Sequence, residues 1–390
     1  MIKRFRVENY KALRDVSLEL TPIHALIGPN DSGKTSVLQA LAALSRSTDH
    51  KLSLAFGGMW NGRDLVWHGS DEGIVRFTAI LDSSSGELQY SLDCRFSPQS
   101  RQVVVEQEKV RLGTDIDCNR KNHATTAVFG VCVQGENAPE PIADACEHIY
   151  AGLARVHMYR WNPRLLALPA AQDSKRRFRM RPDGFGLVQF LDDILGYDRD
   201  QFDALEKKFC SIFPEIASLK LVGQMAFRSP SDDVEEVTRL DQAEGKGLYF
   251  ELRAGKRLVP ATQASDGALL VLAYLTVLSS PERPSLLLVE EPENGIHPKR
   301  LRDVLRILRD LVAQQSRTQV VFTTHSPYAV DLLEPNEVTL CTKRVDGSVE
   351  VKRMADSETV REQHSLFTLG EIWTAEGDET LARDSAVPSP

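Results

Sequence analysis

The chain has 390 residues, 42% of them hydrophobic and 26% charged, with a formal net charge of −8 at neutral pH. That length buries a substantial core and accommodates two or three sub-domains. The acidic balance excludes nonspecific coating of nucleic acid by the whole surface, though not a local basic patch. Cys94, Cys118, Cys132, Cys146, Cys210 and Cys341 are scattered without a CxxC pair, so reduced thiols are expected rather than zinc or disulfides. Met1-Ile2-Lys3-Arg4-Phe5-Arg6 lacks the apolar core of a signal peptide, and the best apolar run, Ala268 to Leu278, is too short for a membrane span. A cytoplasmic protein without membrane contact is expected.

Ile23 to Ile27 reads as a short buried strand, and Ser36 to Leu44 has helical apolar spacing. Between them lies Gly28-Pro29-Asn30-Asp31-Ser32-Gly33-Lys34-Thr35, which fits GxxxxGK[ST]. Glycines let such a loop wrap around phosphates with amide N–H groups pointing inward, and the following helix N-terminus adds partial positive charge. Lys34 then reaches the β/γ-phosphates of ATP and the Thr35 hydroxyl ligates Mg²⁺. The expected nucleotide-binding set is Asn30, Ser32, Gly33, Lys34, Thr35 and Ser36.

About 230 residues separate Thr35 from Ser265, too many for connections alone. Gly73 to Asp82, Glu87 to Phe96, Arg101 to Leu112 and Ala127 to Gln134 are β-rich. Turn residues such as Ser83-Ser84-Ser85-Gly86 and Ser97-Pro98 separate the first three, which predicts an antiparallel meander. Val188 to Leu195 and Phe202 to Phe213 have helical spacing, while Leu248 to Arg253 alternates like a strand. No sustained heptads predict a coiled-coil arm. Arg155 to Arg181 is strongly basic, with Arg160, Arg164, Lys175, Arg176, Arg177, Arg179 and Arg181 interleaved with Tyr159, Trp161 and Phe178. That mixture suits phosphate contact and base stacking. It equally suits a solvated loop paired with the protein's acids.

Ser265 is a good N-cap for a buried helix running through Ala268 to Leu275. Leu286-Leu287-Leu288-Val289 suits a strand buried on both faces, closed by Glu290 and Glu291 before Pro292. Acids are costly to bury unpaired, so this pair calls for a cation or a catalytic task. We expect Glu290 at the metal and Glu291 as the general base that orients the attacking water. Val320-Val321-Phe322 is a further short strand, followed by Thr323-Thr324-His325-Ser326-Pro327.

This order of phosphate loop, Ser-Asp-Gly helix, acid-ended strand and His-ended strand resembles the ABC-type ATPases, in the soluble branch with RecF, SMC and the OLD-family ATPases. Glu-Glu-Pro-Glu-Asn-Gly-Ile-His-Pro (290–298) is similar to the OLD-like form, and Asn9-Tyr10-Lys11-Ala12-Leu13 has the same flavour. The resemblance covers residues 1–45 and 260–345. It implies an α/β P-loop NTPase of ABC type with a β-rich antiparallel lobe and an inserted α/β region. It also implies a homodimer in which two heads sandwich two ATP molecules, with a higher oligomer left open. Ser265 and Gly267 of one head would contact the γ-phosphate held by the other, and His325 would sense that phosphate near Glu291. Asn294 and Gly295 would cross the dimer interface, whereas His297 has a structural role at its turn. The family usually has Asp where Glu290 stands, so direct ligation and ligation through a water both stay open. The family's Q-loop glutamine is not placed.

The expected segments are 1–50 and 259–356 for the two parts of the ATPase domain, 51–150 for the β-rich lobe, 151–258 for a mixed insert and 357–390 for a tail. Glu376-Gly377-Asp378-Glu379 faintly echoes the first acidic motif of a Toprim nuclease, but too little chain follows for that fold, so nuclease activity would belong to a partner protein. The expected function is ATP hydrolysis controlling a DNA-directed complex, favouring anti-phage defence by analogy. Repair or recombination, and an ATP-gated scaffold with slow turnover, are the alternatives. A transporter energiser is disfavoured by the β-rich insert.

Overall fold

The computed structural model describes residues 1–49, 51–56, 62–82, 86–97, 102–113, 116–120, 140–173, 177–228, 241–293, 296–314 and 318–384. The chain divides into two compact units. The first comprises Met1–Met158, Ser285–Val289 and Gln315–Pro390, and the second Tyr159–Pro284 and Glu290–Gln314.

Alternating apolar residues organise the first unit. An antiparallel sheet runs in the order Leu13–Glu19, Ile2–Tyr10, Ile74–Leu81, Leu88–Phe96, Val103–Leu112, Ile116–Arg120. The predicted meander is present for its first three runs, while Ala127 to Gln134 lies outside the described residues. Because side chains alternate across a strand, register decides which face is apolar. Phe5 pairs with Ala79, and Val7 with Phe77, which pairs in turn with Leu92. These residues are all fully buried. The opposite face carries charge pairs such as Arg6–Asp15 at 2.8 Å and Arg95–Glu106 at 2.8 Å.

A second sheet has the order Val349–Arg353, Val338–Lys343, Ile23–Ile27, Gln319–Thr323, Leu286–Glu290, Val156–Tyr159. Ile23–Ile27 pairs in parallel with both of its neighbours. Residues 286–289 and every residue of Ile23–Ile27 and Gln319–Thr323 are buried, the pattern of strands covered on both faces. The helix Lys34–Asp49 shares one core with both sheets: Val37, Leu38, Leu41 and Leu44 cluster with Phe77 and Tyr90 and with Leu286, Leu288 and Val321. The buried Gln319 carboxamide links the sheets, accepting from Ile2 N (3.2 Å) and donating to the carbonyls of Ile2 (2.9 Å) and Thr21 (3.0 Å).

The closing segment, expected as a tail, carries the helices Glu358–Gln363 and Leu369–Arg383, with Leu369, Ile372 and Leu381 buried. Gly377 (φ 77°) kinks the second helix. Glu376 and Asp378 of the acidic motif accept from Gln363 Nε2 (3.0 Å) and Trp373 Nε1 (2.8 Å). These two carboxylates therefore serve the local fold.

In the second unit, Ile216–Phe227 and Gln242–Leu252 form a long antiparallel pair, joined by Ala170–Ala171 and Leu258–Pro260. The predicted helices appear as Leu187–Tyr197 and Arg199–Ile212. The helix Asp266–Leu278 is buried at every position from Ala268 onward. Among the described residues no helix is long and apolar enough to cross a membrane.

His24 is fully buried on its strand, its ring nitrogens 3.1 Å from the Thr21 hydroxyl and 2.9 Å from that of Thr339. Burial, assisted by the Arg353 charge, pushes its pKa from 6.5 down to about 3. Only the unfolded chain then binds this proton between those values, so the contribution is complete above pH 6.5 and is lost as pH falls towards 3. We expect urea denaturation to show a stability loss of about 2 kcal/mol between pH 7 and pH 5, with most of that slope absent in His24→Gln.

Candidate functional site

Three left-handed residues shape the loop after Ile23–Ile27: Gly28 (φ 130°), Asp31 (φ 63°) and Gly33 (φ 89°). A Cβ on Gly28 would lie 2.1 Å from the Cys341 carbonyl oxygen, and one on Gly33 would lie 2.3 Å from Val349 Cγ2. Both positions therefore need glycine for conformation and for space. The loop closes as Ser32 N donates to Pro29 O (3.3 Å), and Asp31 pairs with Lys343 at 2.5 Å. Lys34 Nζ turns back into the loop, donating to the carbonyls of Gly28 (2.9 Å) and Pro29 (2.7 Å). Asn30 and Thr35 are exposed, Ser36 is half-buried and Ser32 is buried. The opening amides of an α-helix lack intrahelical partners, so Lys34, Thr35 and Ser36 begin a helix suited to an anion.

His325 follows the strand Gln319–Thr323, which pairs Thr323 with Leu26 in parallel register. Thr324 N donates to Leu26 O (3.1 Å), and the buried Thr324 hydroxyl accepts from Ser326 N (3.0 Å). These bonds hold the turn that presents His325, which is exposed, and the parallel pairing puts that turn at the strand edge where the phosphate loop begins.

The remaining expected site residues belong to the second unit. Glu290 closes its strand with a side chain only 9% exposed, 3.5 Å from Arg160 Nε. Glu291 adopts φ 47°, a left-handed backbone that a non-glycine residue enters at a cost. The continuous apolar run of Leu286–Val289 ends there because the chain turns. Ser265 is exposed at the start of its helix, where its side chain accepts from Ala268 N (3.3 Å), and Gly267 is half-buried in the first turn. Ser265 is thus a helix cap with its hydroxyl at an exposed N-terminus. His297 O accepts from Leu301 N (3.0 Å), starting the helix Pro298–Gln314. Asn294 and Gly295 lie outside the described residues.

The aromatic rings of the basic segment divide by burial. Tyr159 and Phe178 are buried. Trp161 packs edge-on to Tyr274 at 4.5 Å, and Phe178 meets Tyr197 at 5.4 Å. The buried rings of Tyr159 and Phe178 cover apolar core and offer no face to a base, while Trp161 is half-buried. Arg181 is also buried, its Nε donating to Asp183 at 3.1 Å. Arg160, Arg164, Arg177 and Arg179 are exposed, while Lys175 and Arg176 lie outside the described residues.

Among the described residues no cluster of three or more His, Cys, Asp or Glu side chains could hold a metal by itself. Thr35 in the first unit and Glu290 in the second each carry a hard oxygen donor of the kind Mg²⁺ prefers. Val349 and Cys341 carry no local signal of their contact with the loop glycines, which arises only from strand pairing. The pairing of Arg160 with Glu290 is equally silent in the sequence, since 130 positions separate the two.

Comparison with known proteins places the chain in a family. The family described as "AAA domain, putative AbiEii toxin, Type IV TA system" matches residues 23–331. An OLD nuclease from Thermus scotoductus is 22% identical over 98% of this chain and 70% of its own length. The DNA replication and repair protein RecF of Acaryochloris marina is 36% identical over 94 residues, 24% of this chain and 22% of its own. A solved Smc head bound to the C-winged helix domain of ScpA superposes with a TM-score of 0.53 at 14% identity, covering 90% of this chain and 96% of the other. The Smc head with an extended coiled coil, bound to the C-terminal domain of ScpA from Pyrococcus furiosus, gives 0.51 at 13% identity over 93% and 99%. The chain therefore belongs to that AAA-domain family and is an ABC-type ATPase of the RecF, SMC and OLD branch.

Proposed function

We propose that this protein binds ATP with Mg²⁺, dimerises through the bound nucleotide and hydrolyses it to control a DNA-directed complex. The observation that carries the reading is the Gly28–Thr35 loop, whose two glycines sit where a Cβ would strike Cys341 or Val349 and whose Lys34 is held ready inside it. A bound Mg²⁺ would neutralise phosphate charge, held by Thr35 and Glu290 together with phosphate oxygens. Asn30, Ser32, Gly33 and Ser36 line the phosphates and Lys34 bridges towards the β/γ-phosphates. Glu291 accepts a proton from the attacking water. The water oxygen bonds to the γ-phosphorus, the bond to the bridging oxygen breaks, and ADP and phosphate leave. His325 contacts the γ-phosphate. Ser265 and Gly267 contact the γ-phosphate held by the second copy, where a helix N-terminus favours the anion.

The names of the OLD and RecF relatives support a DNA-directed role. We favour defence against phage together with a separate nuclease protein. A RecF-like role in repair is the second reading, supported by the local similarity to RecF. The exposed Arg160, Arg164, Arg177 and Arg179 would contact nucleic acid through phosphates, not through stacked bases.

Glu291→Gln keeps shape and removes the base, so ATP turnover should fall by roughly 10²–10⁴-fold while an ATP-dependent dimer accumulates on size-exclusion chromatography. Unchanged turnover would remove Glu291 as the base and favour an ATP-gated scaffold. Gly33→Ala should lose binding of a fluorescent ATP analogue, because both the left-handed backbone and Val349 oppose the methyl group. Ser265→Asp retains a good N-cap but adds an anion, so thermal stability should hold within about 0.5 kcal/mol while ATP-dependent dimerisation disappears. Intact dimerisation in that variant would confine Ser265 to capping.

A further inference from the structure

We propose that Arg160 is a built-in counter-cation for Glu290, which occupies the metal-binding carboxylate until Mg²⁺ displaces it. The proposal rests on the reading of Glu290 as a metal ligand. Its basis is the ion pair between Arg160 Nε and Glu290 Oε2, 3.5 Å apart, and the asymmetry of its partners: the Glu290 side chain is 9% exposed and that of Arg160 is 82% exposed. A carboxylate so deeply placed is costly without a cation. The cost is raised by its neighbours, since Glu290-Glu291-Pro292-Glu293 puts three acids within four residues.

The backbone beneath Arg160 is fixed. Arg160 N donates to Pro182 O at 2.9 Å, and Asn162 N to Asp183 O at 2.8 Å. The flanking rings of Tyr159 and Trp161 lie 5.1 Å apart, and Trp161 packs on Tyr274 of the Asp266–Leu278 helix. Only the long, solvent-facing side chain is left to move. A guanidinium on such an arm can cover the carboxylate and then swing into water without disturbing the strand end. The neighbouring arginines differ: Arg181 is buried against Asp183, and Arg177 lies over the rings of Phe178 and Tyr197. Arg160 and a divalent cation compete for one carboxylate, so metal entry and arginine release are a single exchange. The pair thereby holds Glu290 in place, and it sets the metal concentration at which the site fills.

The test is Mn²⁺ binding to the full chain, followed by electron paramagnetic resonance with a saturating non-hydrolysable ATP analogue. Arg160→Ala, and Arg160→Gln as a neutral variant of similar length, should lower the half-saturating Mn²⁺ concentration roughly two- to fivefold, the size of an ion pair with one exposed partner. The same variants should lower the melting temperature of the metal-free protein, and adding Glu290→Gln should restore it. In the Glu290→Gln background, Mn²⁺ should bind weakly whatever residue stands at 160. If Glu290→Gln weakens Mn²⁺ binding but both Arg160 variants bind no more tightly than wild type, Arg160 is merely structural and the exchange is overturned. If Glu290→Gln binds Mn²⁺ as wild type does, the metal-ligand reading itself fails and takes the proposal with it.

Discussion

Burial of the helix Lys34–Asp49 between two sheets is the constraint on which the phosphate loop depends. Val37, Leu38, Leu41 and Leu44 are fully enclosed, packed with residues from the antiparallel sheet and from the parallel strands. With its body held, the helix N-terminus cannot drift from the sheet edge. Gly28 and Gly33 must then pass close to Cys341 and Val349, whose strands lie at that edge. The loop conformation thus follows from packing as much as from local sequence. Gln319, itself on the parallel sheet, reinforces the same geometry by satisfying backbone groups of Ile2 on the antiparallel sheet and of Thr21 in the connection with one buried amide.

The acid-ended strand solves a different problem. Four buried apolar residues make it rigid, yet its last side chain is a carboxylate. The fold answers with Arg160 beside Glu290 and with a left-handed turn at Glu291 that redirects the chain. Both features carry a cost in a protein selected for stability alone. Under the proposed function both features keep a charge in place for an incoming metal ion.

The basic segment shows where composition misleads. Alternating arginines and aromatics describe a nucleic-acid surface and a folded loop equally well until burial is known. Tyr159 and Phe178 turned inward to fill core beside Trp161 and Tyr197, and Arg181 followed them with Asp183 as its partner. Only a subset of the guanidinium groups remains on the surface. Likewise the acidic motif near Glu376 is used to hold a kinked helix, since Trp373 and Gln363 engage its carboxylates.

Much of the fold was legible locally. Ile23–Ile27, the loop motif, the Ser265 cap and the first three meander strands are read from short-range rules: buried runs, glycine placement, capping and period-two alternation. The family could be recognised because those motifs keep a fixed order along the chain. What the residues alone could not decide was pairing at long range. The contact of Gly33 with Val349, the bridge made by Gln319 and the ion pair of Arg160 with Glu290 each join distant segments. No periodicity or spacing records such contacts, because they depend on which strands lie side by side. Sequence determined the chemistry available at the loop and at the acid pair. Tertiary structure decided which cation stands next to the buried carboxylate, because desolvation and proximity exist only once the chain has folded.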